Sequence, residues 1–243
     1  MILSSITSSG VVTFTNNGPT AGSDILAASA SSLISATTLN LVTVSGTIGD
    51  SNQALKFDAT TLTANSSTAN SGQYLSEANT VAIGTTGLNA GTATVSLTSG
   101  NFTLPAAHRI NDATTLSIAS GASFQMKGFS ETIGGLSGSG VVENESNAAN
   151  TATLTASNAA ANTFSGVLRN GDGTGTDGTV ALVKSGSGTL LLSGSNTYTG
   201  TTTINGGTLQ LDGTMDANFT SSATVTVSGT STSRTIGSAG ICA

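Results

Sequence analysis

The chain has 243 residues, of which 7% are charged and 4% aromatic, with a formal charge of −6. Ordinary soluble domains carry roughly 25% charged residues, so this balance argues against a compact α/β enzyme, and six Lys+Arg leave no basic footprint for nucleic acid or anionic lipid. Thr (43), Ser (36), Gly (31) and Asn (19) dominate instead, favouring strands through branched Thr and frequent turns through Gly and Asn.

The opening MILSSITSSG lacks a basic region followed by an apolar core, so no signal peptide is expected, and an exported protein of this sequence would be an excised or mature fragment. No apolar run reaches the about 18 residues of a membrane helix. Period-two alternation predicts strands at Val11 to Thr15, Leu39 to Val44, Ala54 to Asp58, Thr80 to Ile83, Thr92 to Leu97, Thr115 to Ile118 and Ser123 to Met126. It continues at Thr151 to Thr155, Thr179 to Val183, Thr189 to Leu192, Thr201 to Ile204, Thr208 to Leu211 and Ala223 to Val227. Gly or Asn separates nearly all of them. A β-sandwich also uses short strands with regular turns. Disorder is the other alternative, but disordered segments are poor in aliphatics, whereas 37% of this chain is hydrophobic and alternating.

Internal echoes favour a stack of coils over a sandwich. Thr-Ile-Gly occurs at Thr47 to Gly49, Thr132 to Gly134 and Thr235 to Gly237, and Lys127 to Gly138 aligns with Ser228 to Gly240 around the last two copies. Gly91 to Leu104 echoes Gly188 to Gly200. Degenerate copies of this kind suit a helical stack, in which no coil can bury its inward face alone.

The most regular stretch is LVKSGSGTLLLSGSNTYTGTTTINGGTLQLDG, Leu182 to Gly213. Its residues Lys184, Gly186, Gly188, Thr189, Leu190, Leu192, Gly194, Asn196, Thr197, Tyr198, Thr199, Gly200, Thr202, Thr203, Ile204, Gly207, Thr208 and Leu209 follow one pattern. That pattern resembles the autotransporter-associated β-strand repeat of bacterial surface and secreted proteins. The resemblance implies an all-β fold, a right-handed parallel β-helix (β-solenoid). Coils of about 22 residues would make about eleven turns, and strand spacing of about 4.8 Å would give a rod on the order of 50 Å. We expect a single solenoid over residues 1–243, with less regular coils at 1–106 and repeat-like coils at 107–243. Leu190, Leu192, Ile204, Leu209 and Leu211 are the expected inward column.

Candidate chemistry is sparse. Asn170 to Thr179 reads as a surface loop, at a place where members of the resembled repeat family also have a variable loop; within it Gly171 to Gly178 resembles the Gly/Asp calcium repeat of β-roll proteins, but as a single copy. Calcium takes six to eight oxygen ligands, so Asp172 and Asp177 read as a solvated turn. Glu143 and Glu145, two apart on an expected strand, would share one face, as an acid/base pair on a glycoside-acting β-helix would, yet no further acid or base accompanies them. They read as a solvent-facing charged edge. His108 and Arg109 follow Pro105, and a lone His without a Cys or acid beside it reads as a surface turn rather than a metal site or triad. Ser187 sits in a turn, with no Gly-x-Ser-x-Gly elbow in the chain. Asn196 and Asn205 read as turn residues whose amides bond along a stack, and Tyr198 and Tyr74 as packing over turns rather than a sugar platform. No catalytic, cofactor-binding or metal residue is assigned.

The chain's one Cys, Cys242, precludes an intrachain disulfide framework, and the chain stops at Ala243 without a polar cap or barrel sequence. The resemblance therefore implies a non-enzymatic extracellular or cell-surface passenger, a stalk, adhesin or surface-layer segment. Its expected partners are copies of itself, joined end to end or laterally, or glycans and proteins of a neighbouring cell surface; membrane insertion is not expected. The alternative is a carbohydrate-binding or carbohydrate-active β-helix.

Overall fold

A computed structural model describes residues 1–20, 22–146, 150–173, 177–213, 218–221 and 224–227. Along Thr189–Leu192 and Thr208–Leu211 burial alternates strictly, Leu inward and its neighbours outward. A strand four residues long cannot shield such a face by itself, and the chain resolves this by laying each strand parallel on its counterpart one turn earlier. Leu97, Ile118, Gly138, Phe164, Leu192 and Leu211 thereby fall into a single register column, successive turns contributing one residue each. All are buried except the glycine, which is half-buried and passes against the Ile118 carbonyl where no Cβ would fit.

Three columns of parallel strands build the walls. The longest runs from Ile6–Thr7 and Val11–Asn16 through Ile34–Thr43, Leu55–Asn65, Gln73–Asn89, Thr94–Thr103 and Thr115–Ile118 to Gly135–Gly138, Asn162–Phe164, Thr189–Leu192, Thr208–Leu211 and Thr224–Val227. A second stacks Glu131–Ile133, Thr151–Ala156, Thr179–Lys184, Thr201–Ile204 and Asn218–Ser221. The third continues from the end of Thr94–Thr103 onto Ala122–Gln125, Val141–Glu143 and Val167–Leu168. This is a parallel β-solenoid of about nine turns, fewer than the eleven expected. The difference lies in the turns: Leu192 pairs with Leu211 nineteen residues on, whereas Phe164 pairs with Leu192 after twenty-eight, because surface loops lengthen some coils. Residues 228–243 lie outside the described part, and with them the third Thr-Ile-Gly and Cys242.

The expected inward residues Leu190, Leu192, Ile204, Leu209 and Leu211 are all buried in one core with the apolar residues of the other coils. Phe57 and Phe102 meet edge to face, centroids 6.3 Å apart at 77°, a favourable aromatic geometry. Ile48 and Ile133, the centres of the first two Thr-Ile-Gly copies, are buried in the same core.

Outward positions explain the Thr, Ser and Asn content. Thr13, Asn40 and Thr63 are joined across three turns, Asn40 donating to the Thr13 hydroxyl at 3.3 Å and Thr63 to the Asn40 carbonyl at 2.8 Å. Thr80, Asn101 and Ser123 repeat the arrangement. Short uncharged side chains bond their equivalents one turn away, satisfying polar groups without like-charge stacking.

One glycine per turn sets how closely the coils approach at a corner. A Cβ on Gly166, Gly194 or Gly213 would lie inside contact distance of the carbonyl oxygen of Gly140, Gly166 or Gly194 respectively. Only a residue without a side chain fits there.

Candidate functional site

The repeat-like coil at Leu182 to Gly213 rests on Lys184. Although Thr179–Lys184 buries alternate residues, its last inward place holds an ammonium, fully buried. Lys184 Nζ donates to the carbonyl oxygens of Ser185 (2.6 Å), Gly186 (3.0 Å) and Gly206 (3.2 Å). Three donors meet three acceptors, so the charge is satisfied while burial lowers its pKa. Gly207, at φ +63°, lies so near that an added Cβ would sit 2.9 Å from Lys184 Nζ. The Lys and the Gly of the pattern are thus one unit, a cation closing a tight turn between successive coils.

The other pattern residues seat the coil on its predecessor. Asn196 accepts from the Leu168 N–H at 3.0 Å, one turn back, and donates to the Gly194 carbonyl at 3.0 Å. Tyr198 is buried, its hydroxyl bonded to that of Thr202 at 2.7 Å, and burial raises its pKa. Gly200 passes against the Val180 carbonyl where no Cβ would fit. Tyr198 therefore packs inside the solenoid rather than over a turn. Asn205 contributes its backbone N–H, donated to the Lys184 carbonyl at 2.8 Å, while its side chain is exposed. Ser187 is exposed in its turn, and Tyr74 is half-buried.

Glu143 departs from expectation. It is the last residue of Val141–Glu143, 2% exposed rather than solvent-facing, and Glu145 lies beyond the strand, so the two do not share a face. The Arg169 guanidinium holds the Glu143 carboxylate with Nε at 2.8 Å and Nη2 at 2.6 Å, and Gln125 Nε2 donates to it at 3.0 Å. Glu145 pairs with Lys127 at 3.0 Å. The physical reason is the stack: register places Gln125 beside Glu143, and Arg169 arrives one turn later.

Two further carboxylates are buried. Glu77, 2% exposed, accepts from the Asn79 N–H at 3.1 Å while its second oxygen has no partner. Desolvation, reinforced by Asp58, pushes its pKa up to about 7. It borders a cavity of about 480 Å³ shared with Lys56, Ser76 and Ser99. Glu131, 1% exposed, accepts from the backbone N–H of Arg109 at 2.8 Å and of Thr132 at 3.2 Å, and burial raises its pKa.

His108 has acid neighbours, contrary to the reading of its sequence surroundings. Single ligand atoms of His108, Asp112 and Glu131 lie within 4.8 Å of one another, His108 and Asp112 exposed and Glu131 buried. His108 and Asp112 line a cavity of about 370 Å³ with Leu88, Asn89 and Arg109. One acid, Asp112, is four residues further along the same segment, and the other, Glu131, comes from the next coil. In the Asp172/Asp177 loop, Asp177 accepts from the Gly173 N–H at 3.0 Å, an ordinary turn closure; residues 174–176 lie outside the described part.

The missed groups share a signal. Lys127 and Glu145, and Glu143 and Arg169, are 18 and 26 residues apart, near one coil length. In a chain 7% charged, such spacings pair charges vertically.

Residues 182–211 match the family model described as passenger-associated-transport-repeat. No curated protein and no solved structure matches the chain. The matched span is the coil closed by Lys184, so the sequence carries a passenger-type repeat at residues 182–211, folded as part of the β-solenoid.

Proposed function

We propose that the protein is a non-enzymatic, extracellular or cell-surface rod, a passenger-like stalk or surface-layer segment that associates with copies of itself. The observation that carries this reading is the matched coil, whose Lys184, Asn196 and Gly194 are all spent on joining coil to coil. Glu143, the sequence's best acid/base candidate, is tied to Arg169 and Gln125, which favours a structural role for it. Self-association is favoured by Val11–Asn16, which among the described residues has a strand neighbour on one edge only and whose Val11 is 67% exposed. The uncharged Thr/Asn ladders supply a hydrogen-bonding face for surface glycans or proteins of a neighbouring cell.

Electron microscopy across a concentration series, with far-ultraviolet circular dichroism on the same samples, tests the assembly. Filaments with a β spectrum are expected; monomeric short rods at every concentration would remove self-association and leave the stalk. Deleting Leu182 to Gly213 is expected to lower surface display of the natural protein. Hydrolysis of acidic polysaccharides that a Glu143→Gln variant loses would overturn the non-enzymatic reading.

A further inference from the structure

We propose that His108, Asp112 and Glu131 bind one divalent transition-metal ion, zinc being the best fit, which ties two successive coils together. Their ligand atoms lie within 4.8 Å of one another. A point between them is then at most about 2.8 Å from each, and closure by somewhat over half an ångström gives the about 2.0–2.2 Å of zinc–nitrogen and zinc–carboxylate bonds.

The site is built from both coils. His108 and Asp112 come from the segment that bridges to the previous coil through Ile110 and Leu88, and Glu131 begins the strand Glu131–Ile133 one turn later. The backbone N–H groups of Arg109 and Thr132 fix the Glu131 carboxylate from behind, as outer-shell donors orient metal ligands. A carboxylate 1% exposed is costly to keep charged without a cation. Among the described residues the ion pairs are Lys127 with Glu145 and Arg169 with Glu143, while the Arg109 guanidinium turns to the Thr85 carbonyl at 2.8 Å. The imidazole of His108, exposed and within 4.8 Å, is the basic side chain that faces Glu131, and a metal ion held between them neutralises the carboxylate.

Ligand chemistry selects the ion. Calcium and magnesium take oxygen donors in sets of six or more, whereas one imidazole with two carboxylates suits zinc and its neighbours. The exposed His108 and Asp112 open onto the cavity of about 370 Å³, an entry path with room for water in the remaining position.

The test uses the full, tag-free chain with Cys242→Ser, which removes the only thiol, titrated with zinc chloride by calorimetry. The chain has one His, so its imidazole nitrogen resonances report on this site alone. One equivalent of zinc is expected to bind, to shift the His108 resonances and to raise the melting temperature. His108→Ala and Asp112→Asn are each expected to weaken binding at least about tenfold, the scale at which even outer-shell changes act. Both side chains are exposed, so circular dichroism of the zinc-free variants should match the parent. Absence of stoichiometric binding, zinc binding unchanged by His108→Ala, or calcium chloride binding as tightly as zinc at this site would each overturn the proposal.

Discussion

Arg169 reaches back one coil to hold Glu143, placing Nε and Nη2 on the same carboxylate oxygen at 2.8 and 2.6 Å. The arginine is about one-third exposed and the glutamate is buried, so the pair is a charge drawn into the wall and neutralised from the edge. Arg169→Ala strands the carboxylate, and since the partner is partly solvated the expected loss is about 2–3 kcal/mol, below that of a fully buried pair. Denaturant unfolding should further show that Glu143→Gln with Arg169→Met recovers most of it.

Lys184→Met keeps the aliphatic stem and removes the three donors that bind Ser185, Gly186 and Gly206. Three carbonyls then lose a charged partner, and the expected cost is about 2–4 kcal/mol, on the scale of hydrogen bonds to charged groups and of buried unsatisfied ones. Limited proteolysis between Gly186 and Gly207 should accelerate with it; an unchanged digestion pattern would mean that the ammonium does not hold that turn.

Gly194→Ala drives a methyl into the Gly166 carbonyl of the preceding coil. Backbone cannot step aside as a side chain can, so the expected destabilisation is at least about 2 kcal/mol, at or above the usual overpacking range. Gly173→Ala is the control: a Cβ there meets nothing, though its φ of +81° still strains alanine, and a much smaller melting shift is expected.

Glu77 sets a pH slope. Its native pKa is raised from the ordinary 4.5 to about 7, so the folded chain keeps a proton that the unfolded chain has released. Its stabilising contribution is complete below about pH 4.5 and is lost as pH rises through 7, by about 3 kcal/mol. Glu131, raised in the same direction, adds to the decline. Chemical denaturation from pH 4.5 to 8 should give a flatter profile for Glu77→Gln, which retains an acceptor for the Asn79 N–H; a parallel profile would refute the assignment.

The later coils were legible residue by residue. Thr115–Ile118, Thr189–Leu192, Thr201–Ile204 and Thr208–Leu211 coincide with the alternation that predicts them, because each is a bare inward–outward strand between two turns. Glu131–Ile133, Asn162–Phe164 and Val167–Leu168 were missed, being two or three residues long and too short for a period to register. Gln73–Asn89 extends far beyond Thr80 to Ile83, since its polar stretches are held by cross-coil ladders and register shifts rather than by alternation.

By itself the sequence determined that the chain is all-β, repetitive and stacked, and which leucines face inward, because period-two burial and turn glycines are local properties. It also placed the passenger-type repeat, a pattern carried wholly within Leu182 to Gly213. Only the tertiary structure decided which charges meet. Loops make coils of sixteen to twenty-eight residues, so no fixed spacing tells Glu143 that Arg169 lies above it, or His108 that Glu131 does. Vertical neighbours in a solenoid are set by the accumulated length of every turn between them, and that sum exists only once the coils are wound.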